Sequence, residues 1–140
     1  MGKTITNTEC HCLKIRRSAG NVIDFYDRKL KPSGITVRQY SLLHQIGEHP
    51  GCSVRELSEA TELDRSTLAR SLKSLFAIGY IVDRKEAGRR DSRLFLTESG
   101  EQTCENAGKL WQEAQREYEE KVGTETVREL ENALLKLQTL

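Results

Sequence analysis

The chain of 140 residues lacks long hydrophobic runs, and it has no apolar segment near its first residues. The absence of about 18 consecutive apolar residues excludes a transmembrane helix. Without an apolar segment typical of a secretion signal, we expect a cytoplasmic location and no membrane partner. In that compartment the four cysteines are expected to stay thiols rather than form structural disulfides.

The chain also lacks the motifs on which many enzymes depend. It has no glycine-rich phosphate loop, no nucleophile elbow and no metalloprotease helix. Its three histidines, at positions 11, 44 and 49, are spread along the sequence in a way that suggests no Ser-His-acid set. We therefore expect neither an enzyme nor a bound cofactor.

The chain has no large net charge, since the sum is only +1, but its basic and acidic residues are segregated along the sequence. Residues 64–93 contain eight Lys/Arg against four Asp/Glu, and residues 1–31 contain seven against three. Residues 101–140 are acidic, with five Lys/Arg against nine Asp/Glu. A chain with this distribution can present a basic face to an anionic partner and remain soluble elsewhere.

Helical periodicity and capping residues predict most of the chain to be helical. A first helix is predicted over about residues 8–30, and a second one opens with a capping-box pattern at Thr36 and Gln39. A short helix opens in the same way at Ser53, and Asp64 is predicted to cap the next helix. Gly79 is predicted to end that helix.

Two predicted strands, residues 81–84 and 93–97, follow these helices and form a basic hairpin with Gly88 in its loop. Thr97 is predicted to cap a long helix that reaches residue 122, and a final helix begins after Gly123. Two short helices joined by a tight turn and followed by an arginine-rich hairpin are typical of a winged helix-turn-helix.

The predicted fold class is therefore mainly α with a small β-hairpin wing, and with dimerisation helices at both ends of the chain. Residues 1–140 are predicted to form one domain, in which residues 35–97 are the DNA-binding lobe. Residues 1–34 and 98–140 are predicted to pair with a second copy. The resulting homodimer would place two recognition helices about one turn of DNA apart, as a palindromic duplex requires.

The second helix of the motif and the hairpin are predicted to share the contacts with double-stranded DNA. Ser66, Thr67 and Arg70 are expected to face base edges, and Arg70 is the candidate for bidentate contact with guanine. Arg89 and Arg90, at the hairpin tip, are expected to reach the minor groove. The other predicted DNA-binding residues are Thr36, Ser53, Arg65, Ser71, Lys73, Arg84 and Arg93.

Asp91 is an acid in this basic region, and it is predicted to brace the wing by pairing with Arg93 or Arg65. One alternative to DNA binding is an ordinary solvated charged face. Another is a winged-helix adaptor that acts through protein–protein contacts. The helix-turn-helix register and the arginine-rich tip favour DNA over both.

Several motifs in this region resemble those of the MarR family of winged-helix transcriptional regulators. They are the Leu-Asp-Arg-Ser-Thr-Leu run at residues 63–68, the Gly-Tyr-Ile exit at residues 79–81, and the wing at residues 88–93. The Asp-x-Arg wing followed by Leu-Thr-x-x-Gly at residues 96–100 is the family's most diagnostic pattern. The resemblance implies a homodimer on palindromic promoter DNA, usually a repressor that a small ligand or an oxidant releases.

The run Cys10-His11-Cys12 leaves three hypotheses about the releasing signal. By resemblance to the hydroperoxide-responsive members of the family, Cys12 is a redox sensor held by Tyr26, although Val37 replaces their second tyrosine. Cys10, His11 and Cys12 are also weak candidates for a metal site. The third hypothesis is that the cysteines only pack, and that the signal is an organic anion or a phenolic ligand or that no ligand exists. The candidate residues of the ligand's cleft are Phe25, Tyr26, His44 and Trp111.

Overall fold

The computed structural model describes residues 10–140, which form six α-helices, one 3-10 turn and a two-stranded hairpin. In chain order these are α1 (His11–Leu30), the 3-10 turn (Lys31–Ser33), α2 (Val37–Glu48), α3 (Val54–Thr61), α4 (Arg65–Ile78), β1 (Ile81–Asp83), β2 (Leu94–Leu96), α5 (Glu98–Val122) and α6 (Thr124–Leu137). The predicted class, mainly α with a small β-hairpin wing, is confirmed. The predicted start of the first helix, at residue 8, lies outside the described residues. Within residues 10–140, none of the helices could cross a membrane.

Side-chain hydrogen bonds set where the helices begin. Thr36 accepts a bond from the amide of Gln39, and the Gln39 side chain accepts one from the amide of Thr36, so the predicted capping box is complete. The Ser53 hydroxyl accepts from the amide of Glu56 at 3.0 Å and caps α3. These starts depend on residues three apart, which is why the sequence predicts them.

The wing is a short antiparallel hairpin in which Ile81 pairs with Leu96 and Asp83 with Leu94. β1 and β2 are shorter than predicted by one and two residues. An isolated bridge between Cys52 and Leu94 ties the hairpin to the segment before α3. The wing is therefore fixed at its base to the helix-turn-helix.

The hydrophobic core lies where α2, α3 and α4 meet the hairpin and α5. α5 contributes Ala107, which is fully buried. The largest fully buried side chains are Leu30, Leu42, Leu43, Ile46, Leu68, Leu75, Ile81 and Leu94. Because leucines from α4 and from the hairpin belong to one cluster, the core fixes these two elements relative to each other.

The two outer helices, α1 and α6, bury little of their own surface. α1 buries Tyr26 and Leu30 and lies along α5, where Tyr26 donates to Gln115 and Lys29 pairs with Glu117. α6 has no buried residue. The large exposed apolar side chains on these helices are Leu13, Ile15, Val22, Ile23, Leu130, Leu134, Leu135 and Leu137. Much apolar surface at the two ends of the described chain thus remains uncovered.

Candidate nucleic-acid interface

The first turn of α4 is organised by its N-cap, Asp64. The carboxylate of Asp64 accepts a hydrogen bond from the Thr67 amide at 2.8 Å. Hydrogen bonding from Thr67 is the main reason why the pKa of Asp64 is lowered, and the positive charges of Arg70 and Arg38 lower that pKa further. The cap directs the exposed side chains of Arg65 and Ser66 away from the core at the start of the helix.

Arg70 lies one turn further along α4 and is exposed. Its Nε donates to the carbonyl oxygen of Ser66 at 3.4 Å, which holds the guanidinium along the helix surface. Arg70, Ser71 and Thr36 line one groove of about 390 Å³ between α4, α2 and α1. The structure thus brings two of the predicted contact residues of α4, Arg70 and Ser71, together with Thr36 at the N-terminus of α2.

Ser53 differs in position from the other predicted contact residues. Its side chain is buried, with the residue 8% exposed, and its hydroxyl oxygen is engaged by the Glu56 amide. The next amide, that of Val54, donates to the hydroxyl of Ser92 in the wing at 2.8 Å. The start of α3 is therefore tied to the wing, and the Ser53 hydroxyl lies inside the cap rather than on the surface.

The wing carries exposed arginines on both arms and at the tip, where Gly88 adopts a φ of 83°. The Asp83 carboxylate accepts from the amides of Arg93, at 2.8 Å, and Lys85, at 3.0 Å. These bonds close the neck of the loop. Beyond that neck, the tip residues Arg89 and Arg90 are exposed.

The predicted brace between Asp91 and Arg93 or Arg65 is not present. Arg93 pairs instead with Glu86, whose carboxylate lies 3.4 Å from Nη1 and also 3.7 Å from Nε of Arg89. Asp91 is exposed and takes part in no ion pair among residues 10–140. The physical reason is that the loop between β1 and β2 folds so that Glu86, rather than Asp91, lies within reach of Arg93.

Sequence reasoning missed four residues that shape the wing. They are Asp83, Glu86, Ser92 and Phe95. A signal for one of them was available, because an aromatic residue two places after an arginine on a strand lies on the same face of the sheet. Asp83 also makes one local bond, to the amide two residues further on, whereas its bond to Arg93 and the contacts of Glu86 and Ser92 depend on loop geometry.

The four residues predicted to line a ligand cleft fall into two groups. His44 and Trp111 flank Tyr40, with ring centroids 5.8 and 5.9 Å from its ring, and all three line a cavity of about 210 Å³. Phe25 and Tyr26 lie elsewhere, in the contact between α1 and α5, and line neither this cavity nor its larger neighbour. The four residues therefore lie in two places within one protomer, and the predicted cleft between the dimer helices and the DNA-binding lobe stays a prediction.

A larger cavity of about 530 Å³ lies beside the first, between α2 and α5, and shares Tyr40 and His44 with it. Burial raises the pKa of Cys104 in its wall, and the charge of Glu48 raises that pKa further. The charged residues of the wall are Glu48, Glu101, Glu105 and Lys109. The electrostatic character of this cleft is therefore acidic.

Cys10 and Cys12 are exposed at the start of α1, whereas Cys52 is buried and Cys104 is partly buried. Tyr26 follows Cys12 by fourteen positions on the same helix, which is about 21 Å at 1.5 Å per residue. Its hydroxyl donates to Gln115. Within one protomer Cys12 and Tyr26 therefore do not contact each other, and their shared role in a redox site stays a prediction. Among residues 10–140, no group of three or more His, Cys, Asp or Glu side chains is arranged to hold a metal ion.

Comparisons of the chain with known proteins agree on one family of regulators. A family model described as MarR family matches residues 33–93. The chain is 38% identical over 90 residues to the HTH-type transcriptional regulator BilQ of Clostridium symbiosum, which is 64% of this chain and 62% of BilQ. It is 31% identical over 90 residues to the regulator SarZ of Staphylococcus epidermidis, which is 64% of this chain and 61% of SarZ. The chain thus spans less than two thirds of the length of these two relatives.

A solved structure similar to the whole fold is that of the M. tuberculosis transcriptional regulator MosR in complex with DNA. It is 31% identical, with a TM-score of 0.77, and the match covers 94% of this chain and 98% of that one. The matched proteins are transcriptional regulators rather than enzymes. The motifs, the winged fold and these relatives together show that the chain belongs to the MarR family of transcriptional regulators.

Proposed function

We propose that this protein is a cytoplasmic regulator that binds double-stranded DNA as a homodimer and represses transcription from a palindromic operator. The observation that carries the proposal is the exposed face of α4, which lies beside an arginine-rich wing on a common core. A helix of this kind fits the major groove, while the wing reaches the adjacent backbone and minor groove. MosR, which shares this fold, is known in complex with DNA.

Within this proposal the residues take different roles. Ser66, Thr67 and Arg70 contact base edges in the major groove, and Arg89 and Arg90 enter the minor groove. The remaining contacts go to phosphates and fix the register of the protein on the duplex. Those contacts come from Thr36, Arg65, Ser71, Lys73, Arg84 and Arg93. Ser53 acts through the position of α3, since its hydroxyl is buried.

The dimer is supported by the apolar side chains that α1 and α6 leave exposed. In this proposal residues 35–97 are the DNA-binding lobe, while residues 1–34 and 98–140 form the dimer interface. Leu134 of α6 is 43% exposed and Leu13 of α1 is 52% exposed, so each would remove apolar surface from water on pairing. Two copies related by a two-fold axis would present two α4 helices to the two halves of a palindrome.

Release from DNA is proposed to follow from binding of a small molecule in the aromatic cleft around Tyr40, His44 and Trp111. The neighbouring cavity is lined by three glutamates and one lysine, so its charge disfavours an organic anion. A neutral phenolic compound fits this cleft better than an anion does. Thiol oxidation at Cys12 is the alternative trigger, supported by the exposure of that side chain at the start of α1.

Fluorescence anisotropy on DNA from the gene's own upstream region tests the proposal directly. Phosphate contacts make log K fall with log salt by about 0.9 per contact, so a DNA-binding regulator shows a steep slope. Specific competitor DNA should displace the probe, whereas random duplex should not. An absence of binding at low salt would support the adaptor alternative, in which the same surface contacts a protein.

The same assay separates the two triggers. If an organic hydroperoxide releases the wild type but not Cys12→Ser, oxidation of Cys12 is the signal. If both remain bound after the oxidant, the thiol trigger is rejected and the search moves to neutral aromatic ligands.

A further inference from the structure

Phe95 in β2 lies between two arginines of the wing. The guanidinium carbon of Arg84 is 5.0 Å from the centre of its ring, and that of Arg93 is 5.7 Å away. Arg93 precedes Phe95 by two positions, and the amide of Arg84 donates to the carbonyl of Arg93 at 2.8 Å. The three side chains therefore share one face of the hairpin, where diagonal neighbours are within reach of each other.

The ring of Phe95 also rests on the body of the protein. Gly51, in the turn after α2, has a φ of 85°, and a Cβ at this position would lie 3.3 Å from Cζ of Phe95. The same Cβ would lie 3.6 Å from Nη2 of Arg93. The Gly51 amide donates to the carbonyl of Leu94 at 2.8 Å, which keeps the turn against β2. A glycine therefore allows the ring and one guanidinium to sit directly on the turn.

Glu86 forms an ion pair with Arg93, one of the two arginines that contact the ring. Its carboxylate is 3.4 Å from Nη1 of Arg93 and 3.7 Å from Nε of Arg89. The side chains involved are between 48% and 76% exposed, so a ligand can replace the carboxylate. A phosphate offers a guanidinium the same pairing geometry as a carboxylate does.

We propose that Phe95 is a positioning residue of the wing: its ring directs Arg84 and Arg93 toward phosphate, and Glu86 occupies Arg93 until a phosphate displaces it. This inference rests on the proposed function. An arginine on an exposed hairpin loses side-chain freedom when it binds. Two arginines already held against an aromatic ring lose less of that freedom, so the ring favours binding without touching DNA.

The positioning itself can be measured on the protein without DNA. In NMR spectra the Nε–H and side-chain methylene signals of Arg84 and Arg93 should be displaced by the ring of Phe95, and Phe95→Leu should remove that displacement. Phe76→Leu, at an exposed aromatic of α4 whose ring is not paired with Arg84 or Arg93, is the matched control and should leave these signals unchanged. Arginine signals that are identical in the wild type and Phe95→Leu would overturn the inference, whatever the protein does with DNA.

The consequence for binding is measured as anisotropy against salt concentration. Phe95→Leu should weaken operator binding about five- to thirtyfold, because both arginines are deprived of their cation–π partner. The salt slope should become less steep by about 0.9 for each phosphate that the variant no longer neutralises. An operator affinity of Phe95→Leu equal to that of the wild type would show that the ring does not prepare the arginines for binding and would overturn the inference. A wild type that binds without a salt slope would instead reject the proposed function.

Glu86→Gln tests whether Glu86 competes with phosphate for Arg93. The Glu86 side chain is 60% exposed, so this substitution should leave the fold intact. Removing the carboxylate should strengthen binding, by up to about fivefold for an exposed pair. Weaker binding by Glu86→Gln would show that Glu86 supports the DNA-bound wing rather than competing with phosphate. That result would overturn the role assigned to Glu86.

Discussion

A hydrogen bond within α4 holds the side chain of Arg70 in one orientation on the helix surface. Its Nε bond to the carbonyl of Ser66 keeps the guanidinium near the first turn of α4. A base edge can then be approached by the two terminal nitrogens, which is the geometry that guanine requires. This arrangement depends on the four-residue spacing within a helix, and it follows from the sequence once α4 is assigned.

Arg70→Ala should cost about 1–3 kcal/mol in operator binding and relax the base preference at one position in each half-site. The expected loss is specific, because a base contact distinguishes sequences and a phosphate contact does not. Affinities for a set of single-base operator variants measure it. Arg55→Ala, at an exposed position of α3 to which no base contact is assigned, is the control. An equal loss on every sequence would remove Arg70 from base recognition.

The thiols differ in environment, and their reactivity should follow. Burial raises the pKa of Cys52, and the charge of Glu56 raises it further, so little thiolate is present at neutral pH. At a mildly alkaline pH we expect Cys12 to react with iodoacetamide faster than Cys52 or Cys104, as measured by mass spectrometry of quenched samples. The rates should converge in urea. Labelling of folded Cys52 as fast as that of Cys12 would contradict this burial-based order.

At the scale of elements, the helices and their caps were predictable because they depend on contacts within three or four residues. The cap at Thr36, the stop at Gly79 and the break at Gly123 were all found in this way. The partner of Arg93 was not, since it is set by how the loop between β1 and β2 folds across the hairpin. For a related reason the sequence did not predict that Phe25 and Tyr26 lie apart from His44 and Trp111: periodicity assigns faces to helices but not the neighbour that each face meets.

The segment after α4 packs against the start of α5 at Gly100, which makes the closest contact of any glycine in the described chain. Thr97 caps α5 and also donates from its hydroxyl to the carbonyl of Gly79, at 2.6 Å. Gly100 lies against the backbone of Tyr80, and a Cβ at this position would collide with the Tyr80 carbonyl oxygen. The wing enters and leaves the core at this contact.

Gly100→Ala should therefore destabilise the fold by about 1–3 kcal/mol or more, because backbone rather than a flexible side chain must move. Urea denaturation followed by circular dichroism measures the free energy of unfolding. Gly108→Ala in the same helix is the matched control. Its new methyl group would meet the Tyr40 hydroxyl at 3.3 Å, and that ring can adjust. Equal stabilities for the two variants would refute the close packing at Gly100.

At the scale of the whole molecule, the core and the recognition surface form one unit, while α1 and α6 extend beyond it. The apolar periodicity of α6 was visible in the sequence. The sequence also predicts that a second copy of the chain covers this helix, and in the proposed dimer the exposed leucines of α6 would form part of the pairing surface. A single chain contains the complete winged helix-turn-helix and leaves several leucines of α6 exposed.

Truncation before Glu125 should convert the proposed dimer to a monomer and abolish tight operator binding. The lobe should stay folded, because α6 contributes no buried residue to the protomer core. Sedimentation velocity measures the assembly, and circular dichroism checks the remaining helices. Glu131→Gln, a charge removal on exposed α6, should leave the full chain dimeric. A truncated chain that still sediments as a dimer would exclude α6 from the interface.

The exposed leucines of α6 have a thermodynamic consequence. If α6 is ordered mainly by a second subunit, then folding of this helix and association of the chains are one equilibrium. The melting temperature should then rise with protein concentration, and diluted protein should lose its terminal helix before its core. In a cell, the abundance of such a regulator would set its resistance to proteolysis as well as its occupancy of DNA.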